Sequence, residues 1–316
     1  MKNYFKFTLD PIKFLLFWLL FLFLYVVPYI GILDRFESEN PTTSEAFSFL
    51  GLICCLILIV ISIYYFFIKM YIESIGYKDQ NIQFHGTFGR YFGKVLLGYV
   101  ICIFTLGIYS PWFMADLTKY FMENSSYNSN KFKFKGDGLT LFLIISFTII
   151  VPSFLMAGLL IFGSIYIANT DMASATPYTY SFLLIYLFMI PYIYLLYKWF
   201  VDFDFKEYHI SWKTNFWKSC GKILLELFLS VITLGIYSPL ASIRLYEYFV
   251  KKTEAVSPDR TLHFGYDLEQ GRDFLFLWGQ SLLCIITLTI YTPWAISKIG
   301  ERVLGKTYVV IPEDVE

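Results

Sequence analysis

Residues 105–111 read Thr-Leu-Gly-Ile-Tyr-Ser-Pro, residues 233–239 repeat the same letters, and residues 287–293 read Thr-Leu-Thr-Ile-Tyr-Thr-Pro. Each copy closes an apolar run and opens a second helical pattern. The serine or threonine before each proline is a residue type that caps helix N-termini, and the proline suits a first helical position, where no amide hydrogen is needed. The motif therefore predicts the corner of a helical hairpin, used three times.

These corners supply the first set of candidate residues. They are Thr105, Gly107, Tyr109, Ser110 and Pro111; Thr233, Gly235, Tyr237, Ser238 and Pro239; and Thr287, Tyr291, Thr292 and Pro293. The third copy has Thr289 in place of glycine. If the glycines adopt a positive φ, which threonine adopts only at a cost, either the third corner differs or the glycines serve close packing.

The composition indicates a membrane protein. Of the 316 residues 57% are apolar, 21% are aromatic and 16% are charged, whereas soluble domains carry about a quarter charged residues. Several apolar runs reach the roughly 20 residues with which a helix crosses a bilayer. The formal net charge is zero, so we expect the lipid bilayer and no nucleic acid as partner.

No catalytic or metal-binding pattern is visible in the sequence. The five cysteines lie inside apolar runs without metal-type spacing, and we interpret them as small apolar residues. A glycine-rich phosphate loop, a nucleophile elbow and a paired catalytic histidine and acid are all missing from the sequence. We therefore expect no enzymatic activity, no cofactor and no metal site.

The apolar runs alternate with the hairpins in a regular order. Candidate membrane spans lie at about residues 12–33, 47–71, 139–168 and 180–200. Two spans precede the first hairpin, two precede the second, and the third hairpin stands alone. This predicts an all-α polytopic membrane protein with a tandem repeat. Its expected parts, within one integral membrane domain, are residues 1–130, 131–258 and 259–316.

Short strands are expected between these elements. An aromatic residue is followed three positions later by an N-cap residue type at Phe7/Asp10, Phe84/Thr87, Phe134/Asp137, Tyr208/Ser211 and Phe264/Asp267. Alternation before the aromatic residue, as in residues 131–135, is typical of a half-buried strand. We expect strands at 82–85, 131–135, 207–211 and 261–265, another before Asp10, and a sixth at 307–311. Because unpaired strands cannot lie in hydrocarbon, they should form a small cytoplasmic cluster.

The distribution of basic residues predicts the topology. If the N-terminus is inside and every hairpin enters and leaves from the inside, all lysines and arginines except Arg35 fall on or toward the cytoplasmic side. The positive-inside rule supports this arrangement, with both termini cytoplasmic and outer loops at 34–45 and 169–179. The basic inner face could also hold anionic lipid headgroups.

The hairpins are short for a membrane crossing. The uncharged part of the first outbound helix, residues 95–108, is about 21 Å long at 1.5 Å per residue, against a hydrocarbon core of about 30 Å. This favours re-entrant hairpins that dip into the bilayer. Full crossing would require local thinning of the bilayer.

Charged residues recur on the return helices. Two charges of opposite sign, three positions apart, follow each motif proline: Asp116 and Lys119, Arg244 and Glu247, and Lys298 and Glu301. Such spacing places both on one helix face, where they can form an ion pair. The order of signs is reversed in the first copy. Charges at membrane depth are functional candidates, and the alternative is a structural link or a helix end at the headgroups.

Two further candidates are Glu226 and the histidines. Glu226 lies among leucines, and the matching positions in the other hairpins are Gly98 and Gln280. It is either a proton or cation site or a partner for Arg244. His85, His209 and His263 all fall in predicted strands, and we interpret them as surface residues that bind no metal.

The chain resembles the YjgN-like family of bacterial inner-membrane proteins, a family of unknown function. The resemblance rests on Phe84-His85-Gly86-Thr87 before an apolar helix, on 105–112, on Lys119-Tyr120-Phe121 and on 132–136. Leu240 and Thr289 depart from the pattern. The resemblance implies a bacterial inner membrane and supplies neither a substrate nor an active site.

The sequence leaves two functions open. Helices broken within the membrane, internal repeats and charges at membrane depth are typical of a transporter or channel for a small solute or ion. The alternative is a non-catalytic membrane scaffold or lipid-organising protein. A water-filled cavity that reaches Glu226 would favour transport, and a closed interior would favour the scaffold. The oligomeric state is not predicted.

Overall fold

The computed structural model describes residues 2–31, 43–168 and 176–311. Its helices are α1 (Pro11–Phe21), α2 (Thr43–Ser74), α3 (Phe88–Phe104), α4 (Ser110–Glu123), α5 (Gly138–Ile145), α6 (Val151–Ala168), α7 (Thr176–Phe200), α8 (Phe216–Ile232), α9 (Ser238–Lys251), α10 (Gln270–Ile286) and α11 (Thr292–Gly305), with π-helical turns at Leu22–Val26 and Ser146–Ile150. The two predicted outer loops, including Arg35, fall mainly on residues 32–42 and 169–175, outside the described part.

The strands are more numerous than the sequence predicts. They are β1 (Lys2–Phe7), β2 (Ile75–Tyr77), β3 (Gln80–Asn81), β4 (Gln83–Phe84), β5 (Ser125–Tyr127), β6 (Asn130–Phe134), β7 (Phe203–Phe205), β8 (Tyr208–Trp212), β9 (Thr253–Val256), β10 (Thr261–Tyr266) and β11 (Thr307–Val310). The six expected strands correspond to β1, β4, β6, β8, β10 and β11. With eleven strands in the described ranges, the prediction of an all-α fold is wrong.

The missed strands have a common cause. Most of them directly follow a helix and form the first arm of a tight antiparallel hairpin, as in the pairs β5–β6 and β7–β8. The turns of these hairpins place Lys78, Asn128, Ser129 and Lys206 at positive φ. The sequence signal for such turns is glycine, which is absent there.

The chain divides into two compact units. Unit 1 comprises Met1–Val100, Tyr120–Lys131 and Glu269–Glu316. Within it, β1 pairs with both β2 and β11, β3 pairs with β2, and β5 pairs with both β4 and the start of β6, all antiparallel. Phe7, Leu9 and Phe14 form a buried cluster of this unit, against which side chains of α2 and α11 pack.

Unit 2 comprises Ile101–Lys119 and Phe132–Leu268. Its strands follow one another as antiparallel neighbours from the end of β6 through β7, β8 and β9 to β10. A buried cluster of Ile190, Tyr194, Trp212 and Ile223 joins α7, β8 and α8. The predicted repeat boundaries stay a prediction, because the two units group residues by contact rather than by sequence similarity.

Three helical stretches in the described residues are long and apolar enough to cross a membrane. They are Pro11–Gly31, Gly51–Ser74 and Gly138–Phe162. The fourth predicted span, at 180–200, lies within α7, a 25-residue helix with Pro191 inside it.

The junctions between strands and helices follow the predicted rule with two corrections. Asp10 and Asp137 cap α1 and α5 as expected, and each accepts hydrogen bonds from amides of the first helical turn. In contrast, Ser211 lies in a strand, and Asn215 caps α8 instead. Glu269, rather than Asp267, occupies the N-cap position of α10 and makes no side-chain cap bond.

The buried aromatic residues of the last two junctions are therefore not the predicted ones. Trp212 and Tyr266 precede their N-cap positions by three residues and are buried, as Phe7, Phe84 and Phe134 are in the other junctions. The predicted Tyr208 and Phe264 lie earlier in their strands. The spacing rule holds, but its register was wrong at these two sites.

The three hairpins have equal lengths. Each outbound helix (α3, α8, α10) has 17 residues and each return helix (α4, α9, α11) has 14. Two consecutive residues in each corner adopt a positive φ: Leu106 and Gly107, Leu234 and Gly235, and Leu288 and Thr289. The amide of the second residue donates to the carbonyl five positions earlier over 2.7–2.8 Å, the bond that closes a Schellman motif.

The third corner thus keeps the backbone of the other two, with Thr289 at φ 68°. A Cβ atom added at Gly107 or Gly235 would meet nothing within 4 Å, so the glycines do not serve close packing. Both alternatives offered by the sequence are wrong, and threonine accepts the strained conformation.

A threonine, rather than the residue before proline, satisfies the start of each return helix. Thr105, Thr233 and Thr287 accept the amide hydrogens of Tyr109, Tyr237 and Tyr291 at 3.2, 3.0 and 3.1 Å, respectively. Ser238 and Thr292 are the first residues of their helices, and the tyrosine before each occupies the N-cap position without a side-chain cap bond.

Candidate functional site

The second hairpin encloses a polar network around Glu226. The side chain of Glu226 is 0% exposed. Its Oε1 accepts a hydrogen bond from Lys222 Nζ at 2.5 Å, and its Oε2 accepts one from the Tyr237 hydroxyl at 2.7 Å. Arg244 Nη1 donates to the same hydroxyl at 2.6 Å and lies 3.8 Å from Glu226 Oε1. Both carboxylate oxygens are paired, and Tyr237 connects the outbound helix with the return helix.

The third hairpin repeats this arrangement with one neutral member. The Tyr291 hydroxyl donates to Gln280 Oε1 at 3.0 Å, and Lys298 Nζ donates to the Tyr291 hydroxyl at 3.0 Å. Gln280 is buried, whereas Lys298 is exposed. An amide oxygen thus takes the role of the Glu226 carboxylate.

In the first hairpin the corner tyrosine pairs with a carboxylate on the return helix, where the other two hairpins have a cation. The position that matches Glu226 is Gly98, which has no side chain to accept a hydrogen bond. The Tyr109 hydroxyl instead donates to Asp116 Oδ2 over 3.5 Å. The residue seven positions after the tyrosine is therefore a cation where the outbound helix supplies an acceptor, and a carboxylate where it does not. This accounts for the reversed order of signs in the sequence.

The remaining charged candidates on the return helices are Glu247, Lys119 and Glu301. Glu247 Oε1 pairs with Lys251 Nζ at 2.6 Å, one helical turn later, while Arg244 points to Tyr237 and Glu226. Lys119 and Glu301 are exposed on their return helices. The structure thus brings Glu226 and Arg244 together across the corner, which agrees with the alternative that makes Arg244 the partner of Glu226, whereas the spacing rule within one helix had paired Arg244 with Glu247. The signal was the shared spacing of seven residues between tyrosine and charge.

A second buried carboxylate was missed by the sequence reasoning. Asp273, 1% exposed at the start of α10, accepts hydrogen bonds from Arg302 Nε and Lys306 Nζ, both at 2.7 Å. Its Oδ2 accepts the Glu269 amide at 3.0 Å, and Glu269 also lies 3.1 Å from Lys306. These bonds fasten the first turn of α10 to the end of α11. The sequence feature that could have indicated this site is the pair of bases Arg302 and Lys306, near the end of the return helix.

The three histidines have separate partners on neighbouring strands. His85 Nε2 lies 2.8 Å from Ser126 Oγ, His209 Nδ1 lies 3.0 Å from Asp204 Oδ1, and His263 Nδ1 lies 3.6 Å from Glu254 Oε1. Within the described ranges, no group of three or more histidine, cysteine, aspartate or glutamate side chains could hold a metal ion.

Three charged residues of unit 2, in strands or next to them, have shifted pKa values. Burial would raise the pKa of Asp204, but hydrogen bonds from Lys135 and His209 outweigh burial and hold the pKa below its usual value. The same bond to Asp204 raises the pKa of Lys135. Hydrogen bonds from Thr140 lower the pKa of the capping residue Asp137. Each shift favours the charged form, as expected for groups that stabilise the fold.

Comparison with known proteins finds relatives that are named bacterial inner membrane proteins. It is 31% identical over 80 residues to the inner membrane protein YjgN of Salmonella typhimurium, an alignment that covers 25% of this chain and 20% of that protein. Over 72 residues it is 31% identical to the inner membrane protein YjgN of Escherichia coli strain K12, with 23% of this chain and 18% of that protein covered.

The chain therefore spans about a fifth of the length of the curated relatives that it matches. No solved structure matches the chain. The model of one family matches residues 2–271, which is most of the sequence, and the resemblance expected from the corner motifs is confirmed. The chain belongs to the family described as "Bacterial protein of unknown function (DUF898)".

Proposed function

We propose that the protein is a non-catalytic membrane scaffold that orders lipid through three re-entrant hairpins. The observation that carries this proposal is the closed network around Glu226, whose side chain is 0% exposed and whose two oxygens both accept hydrogen bonds. A transport site must exchange its ligand with water on both sides of the membrane in turn. A carboxylate held in this way instead joins two helices.

The hairpin tips support immersion in lipid. Leu106, Leu234 and Leu288 are 93%, 92% and 82% exposed, although burial of a leucine from water is worth about 1.5–3 kcal/mol. Isoleucines, valines and a phenylalanine around these tips are exposed as well. Hydrocarbon around the tips removes this cost, and the 17-residue outbound helices, about 25 Å long, do not reach across a core of about 30 Å.

Basic residues support a second contact, with anionic lipid headgroups. Lys13, Arg90, Lys218 and Arg272 each occupy the third position of a helix that enters the proposed membrane region, and all four are exposed. Long basic side chains extend toward headgroups from such positions while their stems cover apolar surface. This arrangement fits a cytoplasmic leaflet, with both termini of the chain on the cytoplasmic side of the bacterial inner membrane.

Transport of a small solute or ion is the second candidate function. The observation in its favour is the buried carboxylate of Glu226 itself, because ionisable residues at membrane depth often mark ion pathways. The two functions differ in a measurable property. A scaffold leaves the permeability of the membrane unchanged, whereas an ion carrier that uses Glu226 does not.

Two experiments test the proposal on the full-length protein. In a cysteine-free background, the variant Leu234→Cys should react with a membrane-impermeant maleimide from neither side, while Lys218→Cys should react from the cytoplasmic side only. Labelling of the Leu234→Cys variant from the outside would show a full crossing and contradict the re-entrant arrangement.

The second experiment measures ion flux into proteoliposomes under an imposed gradient. We expect wild type and Glu226→Gln to match protein-free vesicles. Flux that wild type supports and Glu226→Gln abolishes would replace the scaffold by a transporter.

A further inference from the structure

Unit 2 contains a polar cavity away from the hairpin networks. The cavity has a volume of about 290 Å³ and lies where α7 ends and where β8 leads into α8. Side chains that line it include Lys198, Asp202, Ser211, Trp212 and Lys213. Its size approaches the lower end of the range of small-molecule sites, about 300–1,000 Å³.

Three buried polar atoms at this cavity have no hydrogen-bond partner. They are Asp202 Oδ1, Ser211 Oγ and Trp212 Nε1. Buried polar atoms are almost always paired, because an unpaired one has given up its hydrogen bonds to water without replacement. Three such atoms on the lining of one cavity indicate that the missing partners belong to a ligand.

Trp212 strengthens this interpretation because its packing does not require its indole N–H. Its ring is 2% exposed and packs against Tyr194, Tyr197 and Phe249, with ring centroids 5.0–5.1 Å apart. Three other junctions between a strand and a helix bury a phenylalanine at the same position: Phe7, Phe84 and Phe134. An aromatic ring is therefore sufficient for packing, and the N–H is an addition specific to this junction.

The chemistry of the lining defines the ligand class. Lys198 and Lys213 supply positive charge, and Trp212 Nε1 and Ser211 Oγ supply hydrogen-bond donors, which together suit an oxyanion such as a phosphoryl group. Asp202 Oδ1 is an acceptor and requires a donor on the ligand. Because His209 Nε2 lies 3.7 Å from this oxygen, beyond hydrogen-bond distance, the acceptor position stays available.

We propose that this cavity binds a small phosphorylated molecule that also carries an ammonium group, of which phosphoethanolamine is the simplest example. The phosphoryl group contacts the lysines, Ser211 and Trp212, and the ammonium group contacts Asp202. The same chemistry occurs in free metabolites and in zwitterionic lipid headgroups. Both sources can reach a cavity at the end of a helix that leaves the proposed membrane region.

Calorimetric titration of the purified, delipidated full-length protein tests the site. The probes are inorganic phosphate and O-phosphoethanolamine as free molecules, and a short-chain phosphatidylethanolamine in a phosphorus-free detergent. Trp212→Phe should weaken binding about tenfold or more, because a hydrogen bond to a charged group is lost. The smaller ring leaves a void among Tyr194, Tyr197 and Phe249 and lowers the melting temperature without ligand, so binding is compared at a temperature at which both proteins are folded.

Two further variants make the test specific. Trp217→Phe is the matched control, because Trp217 is 79% exposed on α8 and does not line the cavity; it should bind as wild type does. Asp202→Asn should weaken phosphoethanolamine about tenfold and leave inorganic phosphate bound at least as well.

The arms of the experiment also identify the source. Tighter binding of the lipid than of O-phosphoethanolamine assigns a membrane headgroup, and the reverse assigns a free metabolite. The proposal is overturned if no probe binds at millimolar concentration, or if Trp212→Phe binds every probe as well as wild type and the cavity holds only water.

Discussion

Tyr237 donates its hydroxyl hydrogen to Glu226 over 2.7 Å, so one phenol joins the two helices of the second hairpin. The same oxygen accepts a hydrogen bond from Arg244 over 2.6 Å, and a hydroxyl can fill both roles at once. Because the tyrosine sits in the corner, its reach fixes which positions of the two helices can meet. The identities at those positions can then change together, as Gln280 and Lys298 show in the third hairpin.

Removal of this hydroxyl should destabilise the protein. Tyr237→Phe leaves Glu226 Oε2 buried without its donor, and an unsatisfied buried group costs about 1–3 kcal/mol, more when charged. We expect a lower melting temperature in detergent. Tyr109→Phe is the control, because its partner Asp116 is exposed at 3.5 Å. Equal losses in both variants would show that the Tyr237 network has no special role.

The geometry also predicts the outcome of a charge swap on the second return helix. If Arg244 and Glu247 were partners, Arg244→Glu combined with Glu247→Arg would keep the pair. In the structure Arg244 faces Tyr237 and Glu226, so the swap places two carboxylates together in a buried setting. We expect the double variant to melt below Arg244→Ala.

Glu247→Ala should have little effect in the same assay. Its ion pair with Lys251 is partly exposed, and such pairs are worth about 1 kcal/mol or less. If the double variant Arg244→Glu with Glu247→Arg proved as stable as wild type, Arg244 and Glu247 would be partners, as the sequence spacing predicts.

Asp204 should make the stability of unit 2 depend on pH. The pKa of Asp204 is lowered by its hydrogen bonds with Lys135 and His209, which outweigh burial. The carboxylate therefore stabilises the folded state above its unfolded pKa of about 3.9, and this contribution disappears as the pH falls through the folded value. The difference in melting temperature between wild type and Asp204→Asn should be largest near neutral pH and shrink below about pH 4.

Asp79→Asn is the control for this pH dependence. Asp79 is 99% exposed beside Lys6, so its substitution should change the melting temperature little at any pH. A difference for Asp204→Asn that stays constant from neutral pH down to about pH 3 would contradict the role of its carboxylate.

The hairpins were predictable from sequence because their determinants are local. Each corner is set by residues within one short stretch, such as 233–239: the threonine, the pair at positive φ, the tyrosine and the proline. Their conformational preferences act without tertiary contacts. The alternating strands, such as β6, were predictable for the same reason. The first arms, such as β5, were not, because two-residue turns at Asn128 and Ser129 lack the glycine that marks them.

The candidate site was only half predictable. Glu226 stood out as a carboxylate among leucines, and Arg244 was one of two explanations for it. The sequence could not decide between them, because the contact depends on the path of the chain through the corner. The cavity at Trp212 could not be predicted from sequence. A tryptophan in place of phenylalanine indicates a binding site only once its N–H is known to be buried and unpaired. Register errors at Tyr208 and Phe264 hid the equivalence of Trp212 with Phe7 and Phe84.

Thr289 carries strain that a single substitution should release. Its φ of 68° lies in the region that glycine adopts in the two other corners, and a left-handed conformation costs a residue with a Cβ about 1–2 kcal/mol. Thr289→Gly should therefore stabilise the protein, by about 1 kcal/mol after the greater freedom of glycine in the unfolded chain is subtracted. The hydrogen bond of 2.9 Å from Trp18 Nε1 to the Thr289 carbonyl involves only the backbone of Thr289 and is retained.

Gly235→Thr is the reciprocal control, since space is open there, and should lower the melting temperature by a similar amount. Opposite shifts of the two variants are the expected result; a lower melting temperature for Thr289→Gly would mean that the threonine side chain contributes more than its backbone costs.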